Sequence, residues 1–482
     1  MEALGPITSW QPGDGDVTTW TASSASRRLM QLAGTDSLPP SFQQTGHLRV
    51  AFYGEALGRE LPRLMVLAWD LPGVCDVAAM TRAITAHVRR HDTYHSAFEF
   101  DNDTIVRRTI GADDIEFVPT SFGRMNSDQI RTHALTTTPG TLAWDCFTFG
   151  VIQKADHFTF YASVDHLHID GMSAGVVFLD IHLMYQDFSQ GQATTLPEVG
   201  GYRDYTARQQ QHVTAATVDA PDIKDWISFA QNNGGNWPSF PLPLGDTWSS
   251  NAGNFVTVEL LNGDQTEAFD TVCREAGARF SGGIMACAAL AEHEITGGDT
   301  FQGFTPSDTR SDAETLSLGW FASLFPVTVP VVEGDFARTA YAAQQSFDAR
   351  KHLANMPFER ALELAPADER GITLPSKAAM MVSFLDFRKI PVAQLWEQTN
   401  FGVYGDNLSH GGINMWINRH RERTTVTISF PDNGEARHSV HRYIAVLGRV
   451  FADVAQITAD WIEEIAHHAN SSDRCVVCTG SN

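Results

Sequence analysis

The stretch Phe158-Thr159-Phe160-Tyr161-Ala162-Ser163-Val164-Asp165-His166-Leu167-His168-Ile169-Asp170-Gly171 reads as a strand running into a turn. Alternate side chains of a strand share a face. Phe158, Phe160, Ala162, Val164 and His166 then lie on one side, and Thr159, Tyr161, Ser163 and Asp165 on the other. His166 emerges at the end of a buried face, where the strand gives way to a helix. Gly171 offers the turn backbone freedom. Asp170 either caps the following helix or pairs with a distant cation. On the residues alone, His166 reads equally well as a satisfied core histidine and as a rigidly held reactive group.

Working outward, Asp145 to Gln153 is the hairpin partner of Phe158 to Val164, through the turn Lys154-Ala155-Asp156. Upstream, a strand is predicted at Leu64 to Leu71. A helix is predicted at Asp76 to His91, where Met80, Ile84 and Val88 recur at helical spacing. Short strands follow at Ser96 to Phe100 and Ile105 to Thr109, and a helix at Ser127 to Thr136. Downstream, a helix runs from just after Gly171 to about Phe188. The polar, Gly- and Pro-containing stretch Gly191 to Gly245 reads as a connection holding one helix, Ile223 to Gln231. Strands and helices then mix again to a last helix at Ser439 to Asp460. The expected fold class is α/β in two lobes: an extended segment at 1–45, a first lobe at 46–215, a second lobe at 216–465 and a flexible tail at 466–482.

Composition narrows the function. The 482 residues are 43% hydrophobic and 19% charged, an ordinary globular balance. Acidic residues number 57 against 34 basic, a net charge of −23, which opposes nucleic acid and anionic lipid. No basic and apolar leader opens the chain, and no apolar run is long enough to span a membrane. Six cysteines form no disulfide framework, and Cys475-x-x-Cys478 reads as part of a tail rather than a metal site. The expected compartment is the cytoplasm or the inner face of the membrane.

The segment His166 to Gly171 resembles the His-x-x-x-Asp-Gly motif of the CoA-dependent acyltransferase and condensation-domain superfamily, with Asp165 where a second histidine is usual. Arg90-His91-Asp92-Thr93-Tyr94-His95 resembles an Arg-His-Glu-x-x-Arg signature, with His95 for its arginine. Thr305 to Arg310 resembles the segment whose arginine pairs with the motif aspartate. Gly319-Trp320-Phe321-Ala322-Ser323 resembles a Gly-x-Phe-x-Asn segment, and Asn400-Phe401-Gly402 a degraded Asp-Phe-Gly latch. The resemblance runs from about residue 60 to 450. It is nearest to polyketide-associated acyltransferases of mycobacteria that acylate trehalose.

That resemblance implies two chloramphenicol-acetyltransferase-like lobes with an active-site channel between them. It implies transfer of a fatty or polyketide acyl group from a CoA or carrier-protein thioester to a trehalose hydroxyl. His166 would be the general base. Asp170, Gly171 and Arg310 would support it, and His168, Trp320 and Phe321 would line the channel. Asn400, Phe401 and Gly402 would latch the lobes. No metal or cofactor is expected beyond the thioester substrate. CoA is an anion, so its phosphates would need a local cationic mouth; a polyketide synthase partner could instead deliver the donor, and a lipid exporter receive the product. The rival readings are an amide-forming or carrier-docking condensation domain, and a zinc hydrolase using His166, His168 and Asp170.

Overall fold

The computed structural model describes residues 4–60, 62–234, 238–247, 252–365, 380–390, 393–409 and 411–472. Two large mixed sheets, each carrying helices, form the two lobes. The first sheet has seven strands in the order Gly5–Pro6, Gly402–Gly405, Leu64–Pro72, His157–Asp165, Phe147–Gln153, Gly15–Ala22 and Phe117–Met125. The second has six, in the order Gly253–Asn262, Arg423–Pro431, Asn414–Arg419, Met381–Asp386, Thr300–Asp308 and Ala322–Pro330. A small third sheet joins Thr35–Asp36, Thr104–Thr109 and Ser96–Asp101.

The strand His157–Asp165 lies in the middle of the first sheet and is paired on both sides. It is buried on both faces, and this fits its apolar and small-polar alternation. Phe158, Phe160, Ala162 and Val164 belong to one core, together with the helices Val77–Arg90 and Ser173–Ser189. Tyr161 lies on the opposite face with Val17, Ile130 and Ala134. The strand ends at Asp165, so His166 is fixed by a fully paired element immediately before it.

Gly150, on the neighbouring strand, shows how tight that sheet is. A Cβ there would lie 2.1 Å from the Tyr161 ring. Tyr161 is fully buried, and its hydroxyl bonds the Thr19 hydroxyl at 3.1 Å. Gly150→Ala is therefore expected to destabilise the fold by about 1–3 kcal/mol through overpacking. A urea melt with a lowered midpoint and unchanged slope is the check.

Residues 4–45 are not the extended segment expected from the sequence. Gly15–Ala22 is an inner strand of the first sheet, with Val17, Trp20 and Ala22 buried. Helices follow at Ser24–Leu32 and Phe42–Ala56. The threonines of this strand are β-branched and favour strands. Ser41 and Gln44 form a capping box that starts the second helix.

The stretch Gly191 to Gly245 also holds more structure than expected. The helix Tyr202–Ala215 buries Tyr202, Tyr205, Gln209 and Val213 at helical spacing, hidden in sequence by the polar residues between them. The last helix runs over Gly434–Ser472, beyond the expected tail boundary. Cys475 and Cys478 fall outside the described residues.

The lobes are joined by more than one connection. Gly402–Gly405, from the second half of the chain, pairs with Leu64–Pro72 and completes the first sheet. Asn400 takes a left-handed conformation, φ 53°, and its amide donates to Asp70. Phe401 is buried and stacks on Trp396 at 4.4 Å. Gly402 pairs with Ala68.

Candidate active site

His166 begins the turn at the end of the central strand and is half-buried. Its backbone N–H donates to the Arg63 carbonyl at 2.7 Å. Its Nδ1 is buried with no hydrogen-bond partner. Its ring lies 4.0 Å from the ring of Trp320, which the second lobe contributes. Burial pushes its pKa down, and the neighbouring His47 pushes it further, to about 4; the backbone carbonyl of His166, Asp170 and Asp165 oppose this. The imidazole is therefore neutral at pH 7.

Asp170 points across the lobe boundary. Arg310 Nη1 and Nη2 donate to its two oxygens at 3.1 and 3.0 Å. Ser173 N and Oγ donate to Oδ1, and Phe321 N and Ala322 N donate to Oδ2. Burial raises the carboxyl pKa, but Arg310 and these donors outweigh it and hold it low. Arg310 also bonds Asp308 and lies over the Phe321 ring at 4.1 Å. Asp170 thus accepts the first N–H of the helix Ser173–Ser189 from just outside its N-cap, Met172, and pairs with a distant cation.

Gly171 does not need its conformational freedom, since its φ is not positive. A Cβ there would meet only Leu385, at 3.9 Å. The glycine that does need it is Gly319, with φ 155°, where a Cβ would lie 2.2 Å from the Tyr202 ring. Its carbonyl accepts from Ser173 Oγ at 3.0 Å, and Tyr202 donates to the next carbonyl, of Trp320.

The three expected channel residues part company. Trp320 faces His166. Phe321 is fully buried among Tyr202, Tyr205 and Arg310, so it packs the lobe boundary instead. His168 is fully buried in the core of the first lobe, with Nδ1 against Thr93 Oγ at 3.1 Å and its ring beside Tyr94 and Phe147. The backbone beyond Asp165 leaves strand geometry, so the two-residue spacing no longer keeps His168 beside His166. The expected metal triad of the rival reading does not converge either, because Asp170 is committed to Arg310.

Two features escaped the sequence. His47, on the helix Phe42–Ala56, donates from Nε2 to Asp165 Oδ1 at 2.7 Å. The capping box at Ser41 was the signal for that helix. Asp180 joins His87 and His91, whose ring nitrogens lie 3.2 and 2.7 Å from its Oδ2. Among the described residues these three could hold a metal ion. However, Leu318 N donates to His91 Nδ1, which leaves the proton on Nε2, facing Asp180. Arg90 also lies 3.3 Å from the same carboxylate. The cluster is a hydrogen-bonded tie between the lobes. His95 is buried and donates to the Val88 carbonyl at 3.0 Å.

Two lobes with a His-x-x-x-Asp-Gly turn at their seam define a condensation-type fold. The condensation-domain family matches residues 64–370. Trehalose-2-sulfate acyltransferase PapA2 of Mycobacterium tuberculosis is 44% identical over 463 residues, covering 95% of this chain and 98% of that protein. Acyltransferase PapA3 of the same species is 41% identical over 461 residues, with 94% and 97% covered. A solved structure of PapA2 acyl transferase superposes with a TM-score of 0.90, covering 94% of this chain and 99% of that one. The chain belongs to the condensation-domain family, among its PapA-type acyltransferases.

Proposed function

We propose that this protein is an O-acyltransferase that moves a fatty or polyketide acyl group from a thioester to a hydroxyl of trehalose or a trehalose glycolipid. The observation that carries the reading is a neutral His166, fixed at a strand end and facing the second lobe across Trp320. The acceptor class rests on the 44% identity to a trehalose-2-sulfate acyltransferase.

An alcohol is a weak nucleophile at neutral pH. His166 takes its proton as the alcohol oxygen bonds to the thioester carbonyl carbon. The tetrahedral intermediate then expels the thiolate, and the His166 imidazolium returns the proton to sulfur. Asp170 moves no proton: its pairing with Arg310 holds the turn against the second lobe. Transfer is direct, with no acyl-enzyme, and needs no metal or redox cofactor. The donor is carried on CoA or on a carrier protein, the latter through a polyketide synthase partner, and a lipid exporter is a fitting recipient of the product. Among the described residues no helix is long and apolar enough to cross a membrane. The free thiols of Cys75, Cys146, Cys273 and Cys287 fit a reducing compartment, the cytoplasm.

Mass spectrometry of products formed from trehalose, trehalose-2-sulfate and glycolipid acceptors, each with a panel of acyl-CoAs, tests the reading. An acylated trehalose-type product is expected. No sugar ester with any acceptor would overturn the substrate class.

The pH profile provides a second test. The working form of His166 is neutral, so kcat/KM is expected to stay flat from pH 8 to about 5 and to fall as pH drops through about 4. His91 and His168 are also pushed down from 6.5 to about 4 by burial, so stability declines as pH falls from about 6.5 to about 4, where the unfolded chain takes up protons that the folded one does not. The rate is therefore read where circular dichroism shows native protein.

A further inference from the structure

Asp165 carries a dense set of bonds for a residue next to the proposed base. It is fully buried. Oδ1 accepts from His47 Nε2 at 2.7 Å and Leu167 N at 3.0 Å. Oδ2 accepts from Arg63 Nη1 at 3.2 Å and Thr141 Oγ at 2.7 Å. An ionised carboxylate only accepts, so His47 Nε2 carries a proton. Three positions before His47, on the same face of the helix Phe42–Ala56, Gln44 donates to the Leu167 carbonyl at 3.1 Å. One helix therefore grips the turn on both sides of His166. The same helix begins at Ser41, whose hydroxyl bonds Tyr202, and Tyr202 donates to the Trp320 carbonyl. The His47 ring is edge-on to Trp320 at 5.6 Å and 6.5 Å from the His166 ring.

We propose that His47, held on the buried carboxylate of Asp165, is a second histidine of this active site: a positioning residue that fixes the His166 turn and sets the electrostatics in which His166 works. The inference rests on His166 being the general base. The His47 side chain is only 7% exposed, and its bond to Asp165 points it at the seam. The groups facing His166 are Asp165 and Asp170 from its own turn and Arg63 from the segment before Leu64–Pro72. His47 faces it from its helix and Arg310, with Asp308, from the second lobe. Behind Arg63, Asp406 accepts the N–H groups of Arg63 and Leu64, and His168 lies inward. Among these, His47 is a cause that lowers the pKa of His166, whereas Asp170 and Asp165 raise it.

The test uses His47→Gln, which still donates to Asp165 through its amide but has no imidazole, and His47→Asn as a second variant. Acyl transfer is followed against pH with the acyl-CoA and trehalose acceptors used above, and each variant is melted to show that it folds. The acid limb of kcat/KM is expected to move up by about one pH unit. At pH 7 kcat is expected to fall about tenfold, with the acceptor KM changed less than about threefold. A limb and a kcat unchanged in a folded variant would overturn the inference. Carbethoxylation of His166, read by peptide mass mapping across pH in each folded variant and in the unaltered protein, gives a second readout. An apparent pKa raised in the variant supports the inference and one equal to that of the unaltered protein overturns it. His166→Ala separates the two levels: if that variant keeps full activity, the general-base reading itself falls, whatever His47 does.

Discussion

Replacement of His166 by alanine is expected to lower acyl transfer by about 10²–10⁴-fold while leaving the melting temperature nearly unchanged. The ring is half-buried, and its Nδ1 has no hydrogen-bond partner, so truncation strips no bond at that atom from the fold. What is lost is its contact with Trp320 and the proton acceptor. Substrate binding and orientation by the rest of the seam remain, and they account for the residual rate. Steady-state kinetics with a thermal melt of the same preparation separates the two effects. A variant that turns over at the normal rate would remove the chemical role of His166.

Arg310→Ala is expected to be costly in the opposite sense, acting first on stability. Its side chain is 5% exposed and bonds both oxygens of a buried carboxylate. Breaking a buried pair by removing one partner costs about 3–5 kcal/mol, because the remaining charge is left uncompensated. Asp170 would retain four donors, from Ser173, Phe321 and Ala322, which places the cost toward the lower end of that range. The same pair ties the His166 turn to the second lobe, so activity is expected to fall with it. Arg310→Lys keeps the charge but not the two-pronged geometry and should fall between the two proteins. Urea unfolding measures the first effect. A midpoint equal to that of the unaltered protein would contradict the role given to this pair.

Much of this architecture is legible in the chain because apolar periodicity reports burial. The strand His157–Asp165 and the helix Ser127–Thr136 follow directly from it. The pairing of Asp170 with Arg310 follows from resemblance, since nothing local links residues 140 positions apart. Other features were hidden for physical reasons. The strand Gly15–Ala22 is rich in threonine, which serves strands and loops alike. The helix Tyr202–Ala215 packs a single tyrosine-lined stripe and leaves the rest polar. The inward turn of His168 follows from where the strand stops, a backbone event that side-chain spacing does not encode. His47 was missed because it precedes the first recognisable motif and acts only through a tertiary contact with Asp165. The net charge of −23 has a counterpart at the seam: Arg63 and Arg310 are both committed to buried carboxylates.

Direct transfer, with His166 activating the acceptor hydroxyl, ties thiol release to the presence of the sugar. Thiol release from an acyl-CoA, measured with and without a trehalose acceptor alongside the intact mass of the protein, tests it most directly. Thiol release is expected to require the sugar, to match ester formation one for one and to leave the protein mass unchanged. Stoichiometric thiol release without acceptor, with an acyl group gained by the protein, would contradict it.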